Sequence, residues 1–267
     1  MDTFLFKLIL TFLVGGTWIT AATLLAEKYG TKLGGMIAGL PSTAAIALFF
    51  IGWTHTPTFA SLSTTLIPII CGMNGFFVII YLLLSRHNFY FAIFSALLSW
   101  LVFSLLLVRI RFNNFFYSIL GLIILALLAY YILEKKSRIK SEGKKITKIT
   151  RNRVLQLFFP AVLGGLIITL AVLLAKIGGA LLGSAFAAFP ALFLGTIIVT
   201  RFAHGQSFSA AVMKVTVISA DINVSIYAVA VRYLYPLLGL IFGTAAAFMI
   251  SLVTGYLFYL FAKGKMD

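Results

Sequence analysis

Nine runs of roughly twenty apolar residues, separated by short polar interruptions, leave this 267-residue chain few ways to fold. A helix needs about 20 apolar residues to cross ~30 Å of hydrocarbon, and inside a bilayer every backbone polar group must be paired within the protein. The chain therefore reads as an all-α polytopic membrane protein. Spans are expected near 4–26, 33–53, 62–84, 89–108, 115–133, 154–175, 180–200, 211–231 and 236–261. Composition agrees, since 62% of residues are hydrophobic and 10% charged, which excludes a water-soluble domain. No basic segment precedes the first run and no small-residue cleavage site follows it, so 4–26 reads as a span and not a removable signal.

The formal charge of +15 could suggest nucleic acid, but its distribution excludes that partner. Nine Lys/Arg fall within residues 134–153, between two apolar runs, where they act as orientation charges. Placing that loop in the cytoplasm also puts Lys28, Lys32, Arg86, Arg201, Lys263 and Lys265 there, leaving Arg109, Arg111, Lys176 and Arg232 outside. The expected topology has the N-terminus outside and the C-terminus cytoplasmic, in a bacterial or archaeal cytoplasmic membrane. Membrane lipids and a small-molecule or ion substrate are the expected partners.

Shifted by 149 positions, residues 8–74 align with 157–223 without a gap. Gly15-Gly16 meets Gly164-Gly165, Pro41 meets Pro190, His55 meets His204, and Asn74 meets Asn223. Apolar bias matches Leu and Ala in any two membrane segments, but it does not match Gly-Gly, Pro, His and Asn in one register, so the pattern reads as a duplication. The layout expected is 1–108 as the first four-helix repeat, 109–133 as a linking helix, 134–153 as a basic cytoplasmic loop, and 154–267 as the second repeat. A fifth crossing between the units inverts the second relative to the first, an arrangement recurrent in secondary transporters.

Candidate site residues follow from this layout. Pro41 and Pro190 fall within equivalent spans, where proline removes a helical hydrogen bond and frees carbonyls; Ser42 and Thr43 add hydroxyls. The plainer reading is a simple bend. Asp221 is the one carboxylate deep in a span, a functional candidate by default, with an ion pair to Lys214 as the structural alternative. Asn74 and Asn223 could hold helices together or offer their carbonyls to a ligand. Asp221 and Asn223, two residues apart, do not face one cavity on an ideal helix. Gly35 with Gly39, and Ser184 with Ala188, read as close-packing positions. His55 and His204 lie on opposite membrane faces and cannot share a metal. Trp18, Trp53 and Trp100 read as interface anchors and lipid-facing bulk. Cys71 stands alone, so no disulfide framework is available. No cluster of catalytic residue types, metal motif or cofactor-binding pattern is present, which argues against an enzyme.

The run Lys32-Leu33-Gly34-Gly35-Met36-Ile37-Ala38-Gly39-Leu40-Pro41, with Gly15-Gly16 upstream, resembles the small GlpM-like membrane proteins. Residues 8–84 would form one such four-helix unit and 157 to about 232 a second. The resemblance implies units that pair as antiparallel dimers in shorter members, and a homodimer of the fused chain stays open. It transfers no substrate and no site residue. The function expected is transport or export of a small cationic or proton-coupled solute by alternating access, with Pro41, Ser42, Thr43, Asn74, Pro190, Asp221 and Asn223 lining the site. The alternative is a lipid-handling protein with a lateral groove lined by Arg201, Lys214 and Arg232.

Overall fold

The computed structural model describes residues 3–136 and 153–265, so most of the basic loop of residues 134–153 lies outside it. Ten helices follow one another: α1 Thr3–Lys28, α2 Gly30–Ala38, α3 Ser42–Thr54, α4 Pro57–Leu62, α5 Ile67–Leu84, α6 Phe89–Arg109, α7 Phe115–Lys136, α8 Arg153–Ala187, α9 Ala191–His204 and α10 Gln206–Lys265. No strand occurs among the described residues. Seven stretches are long and apolar enough to cross a membrane. Together they make the chain an integral membrane protein.

Two of those stretches exceed one crossing. Leu157–His204 has 48 residues and Gln206–Leu257 has 52, or about 70 to 80 Å if straight at 1.5 Å per residue. Each instead folds back at a glycine in the left-handed region: Gly179 (φ 82°) in α8 and Gly239 (φ 73°) in α10. Only glycine enters that conformation without penalty. The reversals bring distant positions together. A methyl on Gly183 would meet Ala175 Cβ at 2.6 Å, and Tyr235 OH lies 2.8 Å from Thr244 Oγ1.

Packing between α1 and α8 is reciprocal in detail. A methyl on Gly15 would strike Ile168, while one on Gly164 would strike Ile19; one on Gly16 would meet Ala161 O, and one on Gly165 Phe12 O. Each member of these pairs stands 149 positions from its counterpart. Two antiparallel helices thus cross at paired glycines, and closeness replaces apolar bulk as the source of contact.

Side-chain contacts sort into two ends of the molecule. At one, Lys7 Nζ donates to Trp53 O (2.6 Å), Lys176 sits 3.5 Å over the Phe4 ring, and Ser61 Oγ donates to Arg232 O (2.6 Å). At the other, His204 Nε2 meets Glu27 Oε1 (3.3 Å), Gln206 Nε2 donates to Ser85 Oγ (3.2 Å), and Arg201 lies 5.8 Å from the Phe89 ring. From Gln206 to Arg232 the first part of α10 rises about 39 Å, the full depth of a bilayer core with margin.

The tryptophans divide. Trp18 and Trp53 are exposed at 45% and 36%, but Trp100 is fully buried, edge-on to Phe186 and Phe189 with centroids 5.8 and 4.7 Å away. The sequence reading of Trp100 as lipid-facing bulk is therefore corrected: it fills a pocket between α6 and the end of α8.

Candidate functional site at the crossed helix breaks

Both proline breaks adopt the same backbone. In the first, Gly39 N–H bonds to Gly35 O and Met36 O (both 3.1 Å), Leu40 N–H to Ile37 O (3.2 Å), and Ser42 N–H turns to Leu40 O (2.7 Å). In the second, Ala188 N–H bonds to Ser184 O (3.2 Å) and Ala185 O (3.3 Å), Phe189 N–H to Phe186 O (3.1 Å), and Ala191 N–H to Phe189 O (2.8 Å). Every one of these bonds has its partner 149 positions away. Pro41 and Pro190 carry matching dihedrals, φ −75° and −77° with ψ 36° and 50°. Because Ser42 and Ala191 donate locally, the Ala38 and Ala187 carbonyls leave the i→i−4 ladder, and the N-termini of α3 and α9 begin at the break with unpaired N–H groups.

The two breaks face each other across a cavity of about 30 Å³. Pro41 and Pro190 line it together, as do Ala38 with Ala187, Leu40 with Phe189, Thr43 with Leu192, Ala44 with Phe193, and Cys71 with Ala220. Each is a pair at the offset of 149. Its volume is that of one water.

The sequence-derived candidates separate here. Pro41, Thr43, Asn74 and Pro190 line the cavity. Ser42 does not; its hydroxyl turns back to Leu40 O (3.3 Å) and is buried. Asn74 donates from Nδ2 to Ala188 O (3.4 Å), while its Oδ1 is buried without a hydrogen-bond partner. Asn223 departs from this. Its Nδ2 donates to Ser219 Oγ (3.0 Å), which donates in turn to Met36 O (3.2 Å). Ser219 packs against Gly39, since a methyl on Gly39 would lie 2.5 Å from Ser219 Oγ. Asn223 therefore belongs to a separate lateral cavity.

Asp221 sits one residue beyond Ala220 and three before Val224, both lining the central cavity, yet is not itself part of the lining. It is buried, and its Oδ1 has no hydrogen-bond partner. Across the helix seam it lies within electrostatic reach of Cys71 on α5. Helix α7 covers that seam: a methyl on Gly72, the counterpart of Asp221, would meet Leu122 and Leu125, and one on Gly75 would meet both Ala129 and Val217.

Three contributors were not singled out for the site from sequence. Ser219 separates the two asparagines. Ser184 Oγ accepts the Leu66 N–H (2.8 Å) at the start of α5, where the first unit breaks between α4 and α5 while α10 runs through; its counterpart Gly35 packs against Val215 instead. Cys71 lines the cavity. The available signal was their smallness on apolar helices, which does not distinguish packing from lining.

Paired broken helices around a small cavity, within a bundle of long apolar helices, define the class as an integral membrane protein with a mostly apolar central cavity that Thr43 and Asn74 also line. Residues 8–113 match a family described as protein of unknown function (DUF3147), a stretch that covers all but the start of α1 and ends between α6 and α7. No curated protein and no solved structure matches the chain.

Proposed function

We propose that the chain is a secondary transporter of a small cationic or proton-coupled solute, in which two inverted four-helix repeats exchange conformations about the central cavity. The observation that carries this reading is the cavity itself, walled by residue pairs 149 positions apart and met by both proline breaks. Interrupted helices in corresponding positions of two halves are the strongest sequence pointer to a transporter site, and irregular backbone is tolerated at membrane depth where it lines a cavity. In this reading the turns at Gly179 and Gly239 make nine crossings, α7 is the linking span, and the N-terminus lies outside. The end of the family match just before α7 supports a unit boundary there. A GlpM-like kinship of the two units is part of the same proposal.

Asn74 Oδ1, Thr43 and the released Ala38 and Ala187 carbonyls form an oxygen-rich set suited to a cation or a polar group. Asp221, buried beside the lining, is satisfied by a proton or a cation, the two species that would drive coupling. The lipid-handling alternative expects Arg201, Lys214 and Arg232 along one groove. Arg201 and Arg232 instead stand at opposite ends, and Arg232 Nη1 is tied to Ser61 O (3.3 Å) and Thr65 Oγ1 (3.0 Å).

Cys71, 2% exposed and the chain's sole cysteine, is a built-in reporter of access. In oriented vesicles, a membrane-impermeant maleimide is expected to label Cys71 from either side, with the accessible side switching as the pH or sodium gradient is reversed. Asp221→Asn is expected to abolish the switch and ion-dependent uptake while leaving the protein extractable and folded. Labelling from neither side, or from one side under every gradient, would sink the alternating-access reading; a switch unchanged in Asp221→Asn would sink the coupling role.

A further inference from the structure

The breaks that end α2 and α8 also start α3 and α9, and each start leaves backbone donors over. Pro41 O accepts from Ala45 N–H (2.7 Å) and Pro190 O from Leu194 N–H (3.0 Å), and the helical ladder begins with those bonds. The N–H groups of Thr43 and Ala44, and of Leu192 and Phe193, come before it and bond to no described residue. All four residues are buried, at 2% to 8% exposure, and all four line the central cavity of about 30 Å³. An unpaired N–H at membrane depth is costly, so a guest in the cavity is what satisfies these groups.

A side chain points to the same guest. Thr43 is 8% exposed and lines the cavity, and its Oγ1 bonds to no described residue without being sealed over as Asn74 Oδ1 is. The acceptors at the breaks are mostly occupied: Leu40 O accepts from Ser42 N–H, Phe189 O from Ala191 N–H, and Ala188 O from Asn74 Nδ2. Among the lining residues of the two breaks, the Ala38 and Ala187 carbonyls remain. Four N–H groups and a hydroxyl therefore outnumber two carbonyls. A water molecule accepts two hydrogen bonds and would leave most of these donors bare, whereas an anion accepts from every side and is favoured by the positive ends of two helices.

We infer that the central cavity holds one small monatomic anion, a halide of about the size of a water molecule, bound by the N-termini of α3 and α9 together with the Thr43 hydroxyl. Binding does not depend on the transport reading, but within that reading it selects a proton-coupled anion over a cation, with Asp221 beside the lining as the carrier of the proton.

Binding to the purified full chain in dodecylmaltoside micelles is measured by isothermal titration calorimetry and by the shift in melting temperature. Sodium fluoride, chloride and iodide are compared with sodium gluconate at equal ionic strength. Fluoride or chloride is expected to bind at one site per chain and raise the melting temperature; iodide and gluconate, too large for the volume of one water, are not. Thr43→Val, which keeps the shape and removes the hydroxyl, is expected to weaken binding about tenfold, and Thr43→Ser to retain it. Asp221→Asn is expected to bind halide no less tightly than the wild type, even where it loses uptake. No halide binding to the folded wild type, the result for a cavity that holds water only, would overturn the inference. Equal binding of iodide, undiminished binding in folded Thr43→Val, or loss of binding in folded Asp221→Asn would do the same. Ion-dependent uptake of a cation without halide binding would leave the transport reading standing and remove this inference, while halide binding without uptake would do the reverse.

Discussion

Gly15 and Gly164 occupy equivalent places in the α1–α8 crossing, but the structure assigns them unequal tolerance for a methyl group. A Cβ on Gly164 would lie 2.6 Å from both Cβ and Cγ1 of Ile19 and 3.0 Å from its Cγ2. Carbon atoms prefer about 3.5 to 4.0 Å, and a β-carbon cannot rotate away, so the helices themselves must separate by about 1 Å. That movement also loosens the contacts at Gly16 and Gly165, and overpacking of this kind costs about 2 to 3 kcal/mol. A Cβ on Gly15 would meet Ile168 chiefly at Cδ1 (2.8 Å), with Cβ at 3.3 Å and Cγ1 at 3.5 Å. Rotation about χ2 moves Cδ1 aside at about 0.5 to 1.5 kcal/mol, offset by the ~1 kcal/mol that alanine gains over glycine in a helix. The alanine gain is common to both positions and cancels, so Gly164→Ala should shift the folding equilibrium about tenfold more than Gly15→Ala. Ile168→Val alone costs about 0.5 to 1.5 kcal/mol, but it removes Cδ1, so the Gly15→Ala/Ile168→Val pair should be no worse than Ile168→Val. Ile19→Val retains the offending Cβ and should not rescue Gly164→Ala. Reversible unfolding in mixed micelles, followed by circular dichroism, measures all six proteins. Equal costs for the two glycines, or strict additivity of the Gly15–Ile168 pair, would refute the packing argument.

Two further outcomes are expected. Ser184→Ala strands the buried Leu66 N–H at the start of α5 and should cost about 1 to 3 kcal/mol by the same unfolding measurement; an unchanged stability would remove that bond from the account. His55, stacked 4.4 Å from Phe59, has its pKa lowered by burial first and then by Lys176 and Lys7, against a backbone bond to Ile51 that raises it. A lowered value means the folded state resists protonation. Stability from this residue is thus fully present above the ordinary value of about 6.5 and is lost as pH falls through the folded value. Histidine NMR titration should place His55 below the ordinary histidine value of about 6.5, and Lys176→Gln should move it upward; an unchanged titration in that variant would remove Lys176 from the account.

Much of the architecture is legible in the residues because it rests on backbone chemistry. Proline cannot donate, so both breaks are visible as Pro41 and Pro190, and matched Gly-Gly pairs mark the close crossing of α1 and α8. Rotation about a helix axis is less legible. Asp221 and Ala220 are neighbours, yet only Ala220 reaches the cavity, because the phase of α10 is set by its packing on α5 and α2. Trp100 shows the same limit: on a helix apolar all round, sequence does not distinguish a ring facing lipid from one filling a pocket. Asn74 and Asn223 match in sequence and differ in partner, because Asn223 donates to Ser219, a residue with no amide or charge to draw notice, where position 70 in the first half holds an isoleucine that cannot accept.

The turns of the second unit have a mechanical consequence. Gly179, Gly205 and Gly239, all at positive φ, each join two helical segments through a single residue, as Tyr29 does between α1 and α2, whereas Ser85–Asn88 and the stretch from Ser63 to Leu66 are longer connections. A one-residue hinge fixes the register of the helices it joins and leaves no slack for one to slide past the next. The helices joined at these glycines are therefore held in fixed register, and bending is easiest at the stretch from Ser63 to Leu66, the connection long enough to absorb it.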